Sequence, residues 1–315
     1  MSYFPGSKYL FLSIYLITFI TGLPLNIAAL ATLVSKFGRD LHPVDILLAN
    51  LTVSDLLLLT FLPFRMMEAA SDFRWPLPHV FCPLSAFMYF SSIYITSLFL
   101  MAISVERYMA TAYPIRYKMV RNPIYSLLGS LFIWFMATVH CSIVYIVEHI
   151  VPNNLTASNN TMCYSTFTPP QLDVLLTVRL EMCIVLFCIP FMITIFCYGN
   201  FIKIVMWQSR LDRKRKKRAI GLVMATLINF IVCFMPYNVS HIVGFVDDVS
   251  PEWRDYALLL STFNASLDPI IFYFSSASFK KSLLEGLVDF LKKLGNYGYK
   301  LCIAPCETKD INVST

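Results

Sequence analysis

The sequence predicts an all-α membrane protein, a seven-transmembrane helix bundle with a short amphipathic membrane-surface helix after helix seven. Two observations carry that prediction. Of 315 residues, 57% are hydrophobic and only 14% are charged, with a mean hydropathy of +0.64, far more apolar than a soluble domain of this length. The apolar residues also gather in blocks separated by short polar connectors. At about 1.5 Å of rise per residue, each block crosses a hydrocarbon core of about 30 Å.

The blocks run approximately over 9–35, 43–67, 80–109, 124–147, 174–206, 218–243 and 255–274. Glycine and proline interrupt them, but backbone groups in lipid must pair within a helix or a closed barrel. Barrel strands would be shorter and would alternate. The expected organisation is an N-terminus over 1–8, the bundle over 9–274, the amphipathic helix over 275–294 and a tail over 295–315. The first apolar run is too long for a cleavable signal peptide and lacks a small-residue cleavage site.

Lys and Arg set the orientation. Lys36 and Arg39 follow block one, and Arg116, Lys118 and Arg121 follow block three. "RLDRKRKKR" (210–218) joins blocks five and six, and Lys280 and Lys281 follow block seven. These connectors are expected in the cytoplasm, which puts the N-terminus outside. The opposite loops carry the sequons "NLT" at Asn154 and "NNT" at Asn159, usable only on the lumenal side. A basic segment beside anionic lipid accounts for "RKRKKR", and no nucleic acid is implied.

The chain has nine cysteines. Cys82 and Cys163 fall on the outer side, where a disulfide between them is expected. Cys141, Cys183, Cys188, Cys197 and Cys233 lie inside helices as small packing residues. Over Phe279 to Phe290, Phe279, Leu283, Leu284 and Leu287 share one face opposite Lys280, Lys281, Glu285 and Asp289, the pattern of a surface helix. Cys302 and Cys306 beyond it are candidates for palmitoylation, with an unmodified tail as the alternative.

Ionisable groups inside spans cost about 2.5 to 3.5 kcal/mol at mid-membrane, so each calls for a reason. Asp55, Asn26, Asn264 and Asp268 form an oxygen-rich set that can hold a sodium ion or a water network, or can close into a hydrogen-bonded packing knot. Glu106, Arg107 and Tyr108 end block three, where snorkelling alone would explain them. They do not stand alone, however. Asn26, Asp55, Arg107, Trp134, Pro190, Pro236 and Pro269 occur one per block, and in this the chain resembles the class A G-protein-coupled receptors from block one to the amphipathic helix.

That resemblance implies a receptor and not an enzyme. It assigns Glu106, Arg107, Tyr108, Pro236, Asp268 and Pro269 to activation and G-protein coupling. The chain departs from the pattern at four places: Lys216 replaces an acid at the cytoplasmic latch of helix six, Phe234 replaces the usual tryptophan, Asp268 replaces an asparagine, and Phe272 stands at the expected tyrosine position with Tyr273 following.

A third set lies near the outer face: Arg179, His241, Arg254, His140 and Arg65. Arg179 precedes Pro190 by about eleven residues, or about 16 Å of helix. His241 lies about five residues past Pro236, and Arg254 about fifteen before Pro269, at similar depth. In the usual bundle order, helices five, six and seven then bring these cations to one cavity. Structural pairing is the alternative. Glu181 is rotated about 200° from Arg179 and poorly placed to neutralise it, which leaves Glu181 with no partner in the sequence. Arg254 has an acidic neighbourhood in Asp247, Asp248, Glu252 and Asp255, and Arg65 is one turn from Glu68, as in a structural ion pair.

A guanidinium matches a carboxylate in shape and charge, so the ligand is expected to be an anion. The outer half of helix three, "FMYFSSIYITSLFL", has no acid to receive an amine, and block seven has no lysine for a Schiff base. Tyr89, Phe90, Tyr94, Tyr237 and Tyr164 are the expected lining, leaving a small space. "GLPLNIAAL", "LPFRMMEAASDFRWPLP", "QLDVLLTVRLEMC", "FMPYNVSHIVG" and "STFNASLDPIIFYFSSA" resemble the free fatty acid receptors, especially their short-chain subgroup. The resemblance implies that Arg179, His241 and Arg254 anchor a carboxylate and that His140 affects potency. It also implies acetate, propionate or butyrate as ligand, inhibitory and Gq-type G proteins and arrestin as partners, and the plasma membrane as location. Ser165 stands where a relative has an acid.

Overall fold

A computed structural model describes residues 6–35, 41–120, 122–150, 163–164, 167–208 and 212–275. The amphipathic helix, Asn154, Asn159, Ser165, Cys302 and Cys306 lie outside the described residues, as do the side chains of Phe272 and Tyr273. Among the described residues, six helical stretches are long and apolar enough to cross a membrane: Ser7–Val34, Pro43–Ala70, Phe81–Ala112, Pro123–Val147, Pro169–Trp207 and Arg213–Val246. The seventh span breaks at Phe263 into Arg254–Thr262 and Asn264–Ser275, each piece too short to cross alone. The short helix Pro114–Val120 follows span three.

Local chemistry fixes where the spans begin. Spans two, four and five each start with a proline in the first helical turn, where its missing N–H costs nothing. The residue before each proline holds the N-cap position, where Asn122 accepts with its side chain and His42 and Thr168 donate their own backbone N–H. His42 N–H donates to Asp45 at 3.2 Å, Asn122 Oδ1 accepts from Ile124 N–H at 3.0 Å, and Thr168 N–H donates to Gln171 Oε1 at 3.0 Å.

The spans close into a ring: one packs on two and seven, three on two, four and five, and six on five and seven. Gly22 lets span one approach closely, because a Cβ there would sit 3.2 Å from Leu59 and 3.3 Å from the Ala265 carbonyl. Burial is inverted relative to a water-soluble protein. Phe132, Phe135, Met192 and Phe196 are 61–64% exposed, whereas Asn26, Asp55 and Asp268 are at most 1% exposed. Lipid as the outer solvent accounts for both halves of that distribution.

Span five is not a uniform helix. Ile184–Cys188 form a π-helical segment just before Pro190, and the Ile189 N–H reaches back to the Ile184 carbonyl. Pro190 has no N–H to continue the α-helical ladder and its ring crowds the preceding turn, so a wide turn there relieves both problems. The extra residue rotates the half of span five that precedes it by about 100° relative to an unbroken helix and shortens its reach by about one residue's rise. The depth reading for Arg179 is corrected by that amount. On the inward side of the bulge, Phe187 stacks on Phe191 at 5.6 Å, Phe191 on Phe230 at 5.3 Å, and Phe230 meets the buried Phe234 at 5.6 Å.

Candidate functional site

Arg179 of span five, His241 of span six and Arg254 of span seven line one chamber of about 310 Å³. Phe90 and Tyr94 of span three, Tyr164 and Tyr237 share its wall. All three basic side chains are at most 5% exposed. Arg179 Nη2, both ring nitrogens of His241 and Arg254 Nε have no hydrogen-bond partner among the described residues. Buried polar groups are ordinarily satisfied, so a cluster of unsatisfied nitrogens around a cavity marks a place for an acceptor.

Aromatic rings hold the cations in place. Arg179 lies over Phe167 at 5.5 Å, and Arg254 over Phe90 at 5.9 Å and Tyr237 at 5.8 Å. Tyr237 and His241 meet edge to face at 4.5 Å. No acid lines this chamber among the described residues. Arg254 does have an acidic neighbour, with Nη1 3.6 Å from Asp255, longer than a good charged hydrogen bond. Arg179 has no such partner among the described residues, which give the chamber a net cationic lining.

His140 sits differently from its expected place in the ligand pocket. Its Nε2 lies 3.1 Å from Glu181 and its Nδ1 2.7 Å from the Met136 carbonyl, and it is absent from the chamber lining among the described residues. The adjacent Cys141 faces the chamber instead. Glu181, which had no partner in the sequence, therefore braces span five against span four from outside the chamber. Arg65 and Glu68 pair at 2.9 Å, both buried, and the second Glu68 oxygen accepts the Cys163 N–H at 2.5 Å. Cys163 is joined to Cys82 by a disulfide, so the pair and the disulfide both hold Cys163.

Deeper in the bundle, Asn264 and Asp268 meet Asn229, a residue the sequence reading passed over. Asn229 Nδ2 donates to Asn264 Oδ1 at 2.7 Å and to Asp268 Oδ1 at 2.9 Å, and Asn264 Nδ2 donates to Asp268 Oδ2 at 3.1 Å. Its signal was a lone amide in the apolar run "TLINFIV". Asn26 donates instead to the Gly22 and Ala265 carbonyls at 2.9 and 2.6 Å. Both Asp55 oxygens and Asn26 Oδ1 are buried without a partner among the described residues. The cluster is thus half packing knot and half open acceptor set.

At the opposite end Glu106 accepts a short hydrogen bond from Tyr117 of the helix after span three. Arg107 Nε is buried without a partner among the described residues. Tyr108 packs edge to face on Phe196 at 6.0 Å and Tyr113 at 6.4 Å. Lys216 donates to the Met206 carbonyl at 2.9 Å, tying span six to the end of span five. Pro236 and Pro269 lie inside spans six and seven.

Apolar spans closed in a ring, a disulfide at one end beside a buried chamber, and a Glu-Arg-Tyr exit at the other define a seven-transmembrane receptor, a multi-span membrane protein. The chain belongs to the 7 transmembrane receptor (rhodopsin family), whose family model matches residues 25–272. Within it the chain belongs with the free fatty acid receptors. It is 51% identical to free fatty acid receptor 3 of Mus musculus over 294 residues, 93% of this chain and 89% of that one. It is 48% identical to free fatty acid receptor 3 of Homo sapiens over 284 residues, covering 90% and 82% of the two chains. Free fatty acid receptor 2 of Homo sapiens is 48% identical over 280 residues, covering 88% and 85%.

Proposed function

We propose that this chain is a plasma-membrane receptor for short-chain carboxylates, acetate, propionate and butyrate, which signals through inhibitory and Gq-type heterotrimeric G proteins and recruits arrestin. The observation that carries the reading is the set of Arg179, His241 and Arg254 nitrogens that have no partner among the described residues, on one chamber that no described acid lines. A carboxylate supplies the acceptors these groups lack. The close-set aromatic lining leaves room only for a small ligand. The names of the relatives agree with this ligand class.

Magnitudes fit a metabolite sensor. At a ceiling of about −1.5 kcal/mol per heavy atom, the five heavy atoms of propionate give about −7.5 kcal/mol, a Kd of a few micromolar at best. Desolvating the carboxylate and the arginines moves it toward the sub-millimolar range. In this reading the carboxylate draws spans five, six and seven together, and Pro236 transmits the shift so that the inner end of span six leaves Arg107. The agonist acts only through its tighter binding to that open state, and the cleft admits a G-protein helix.

The N-terminus lies outside the cell, with Asn154 and Asn159 glycosylated, and the basic connectors face anionic lipid inside. Asp55 with Asn264 and Asp268 offers the hard oxygen donors a sodium ion takes, and the open Asp55 oxygens fit that use. The test of the ligand is a panel of acids of increasing chain length on transfected cells, read as inhibition of cyclic AMP and as calcium release. Responses peaking at two to four carbons support the reading, whereas a nanomolar response to acetate or a preference for nucleotides or hydroxy acids sinks it. Uptake of radiolabelled propionate would point to a transporter instead.

A further inference from the structure

Two thiols meet across the irregular turn of span five. Cys183 Sγ and Cys188 Sγ lie 3.9 Å apart, and the Cys183 thiol donates to the Asn238 carbonyl of span six at 3.4 Å, just past Pro236. A regular α-helix does not bring such a pair together. Side chains five residues apart, at about 100° per residue, stand about 140° apart round its axis. The π turn Ile184–Cys188 takes back about 100° of that, so the contact exists only while the turn is wide.

The pair also joins two environments. Cys183 is 0% exposed and reaches span six, whereas Cys188 is half-buried and lies one turn from the exposed, lipid-facing Met192. Arg179 lies one turn outward of Cys183, and Met182 beside it lines the cationic chamber. A change at these sulfurs therefore reaches the chamber through the span that carries Arg179.

We propose that Cys183 and Cys188 are an oxidisable dithiol inside the membrane, which lipid peroxyl radicals close to a disulfide, and that closure loosens span five from span six beside the chamber. An ionised thiolate is costly in hydrocarbon, so the step runs by hydrogen-atom transfer. The Cys188 S–H bond breaks and its hydrogen passes to one peroxyl radical, giving a lipid hydroperoxide and a thiyl radical. The thiyl sulfur bonds to Cys183 Sγ, and the Cys183 hydrogen passes to a second peroxyl radical. Each thiol is oxidised by one electron, and each peroxyl radical is reduced to a hydroperoxide. The sulfurs close to about 2.05 Å, which fixes the wide turn, and the hydrogen that bound the Asn238 carbonyl is gone.

The experiment treats membranes holding the full chain with a lipid-soluble azo initiator in air. The protein is then denatured, its free thiols are alkylated, and its peptides are mapped by mass without reduction. Cleavage after Arg179 and Lys203 releases 180–203, which carries Cys183, Cys188 and the buried Cys197. Loss of the labels at Cys183 and Cys188 together with the mass of two hydrogens, while Cys197 keeps its label, supports the pair. Retention of all three labels, or equal loss at Cys197, overturns it, and this arm needs neither ligand nor variant. In a second arm, which rests on the carboxylate reading above, propionate potency on treated cells should fall by about two- to tenfold, the weight of one hydrogen bond. It should stay unchanged in treated Cys188→Ser cells, where no disulfide closes. The untreated Cys188→Ser curve certifies folding, and Cys188→Ala stands in if that variant fails. An unshifted wild-type curve, or an equal shift in Cys188→Ser, overturns the link to the chamber. Absence of any propionate response in the untreated wild type overturns the carboxylate reading itself, a different result.

Discussion

His140 Nε2 lies 3.1 Å from Glu181 Oε1, a contact that joins span four to the outer half of span five behind the cationic chamber. Arg179 and Glu181 are two residues apart and point to different neighbours, Arg179 into the chamber and Glu181 toward span four. Because the Glu181 side chain is 44% exposed, water screens the pair and its coupling is expected to be below about 1 kcal/mol. His140→Ala and Glu181→Ala should each shift propionate potency only a few-fold. Concentration–response curves for the two single variants and the double form a mutant cycle that reads the coupling directly. Loss of signalling in Glu181→Ala comparable to that in Arg179→Ala would place Glu181 in the ligand site instead.

Arg179→Ala and Arg254→Ala should each abolish signalling while surface expression persists. A hydrogen bond to a charged group contributes about 1.5 to 3 kcal/mol, or roughly 10- to 150-fold in affinity. A sub-millimolar ligand then needs a few millimolar to tens of millimolar. Arg179→Lys should recover only part of the response, because an ammonium cannot offer the planar fork. Surface immunostaining with a propionate titration tests this, and full potency in either alanine variant would exclude these arginines as anchors.

Which parts of this were legible in the sequence follows from what each depends on. Span positions depend on composition, and those read from the apolar blocks lie within a few residues of the observed helices. Arg179, His241 and Arg254 were legible because each can be counted along its own span from a proline. The π segment Ile184–Cys188 was not, since the residues that form it are as helical in type as their neighbours and only the Pro190 ring demands the wider turn. The break at Phe263 was hidden for the same reason. The partnerships of Glu181 with His140 and of Asn229 with Asp268 join residues about 39 to 41 positions apart, set by how spans rotate against one another. No local pattern encodes that rotation.

The Arg65–Glu68 pair yields a stability prediction with a distinctive sign. Both side chains are below 10% exposed, so removing one partner strands a buried charge at about 3 to 5 kcal/mol. Glu68→Leu also removes the acceptor of the Cys163 N–H, and surface expression should fall sharply. Arg65→Met combined with Glu68→Leu should recover much of the lost expression, because two apolar side chains leave no unpaired charge. Cell-surface quantification of the three variants decides it. A double variant worse than Glu68→Leu would mean that Arg65 has a role beyond the pair.

Asn229 is the last test, because its single amide nitrogen holds two acceptors on span seven, Asn264 Oδ1 at 2.7 Å and Asp268 Oδ1 at 2.9 Å. All three residues are at most 3% exposed, so Asn229→Leu keeps the branching at Cγ but strands two buried acceptors. Each costs about 1 to 3 kcal/mol, and the melting temperature of the purified receptor should fall by several degrees. The same bonds tie span six to span seven, and an outward swing of the inner end of span six strains them. Cutting them should therefore raise basal signalling and shift the propionate curve to lower concentration, as removal of a restraint on the closed state requires. Melting curves and basal cyclic AMP in the same variant separate the two effects. A lower melting temperature with unchanged basal signalling would make Asn229 a packing residue, and no change in either would exclude it as a tie between the spans.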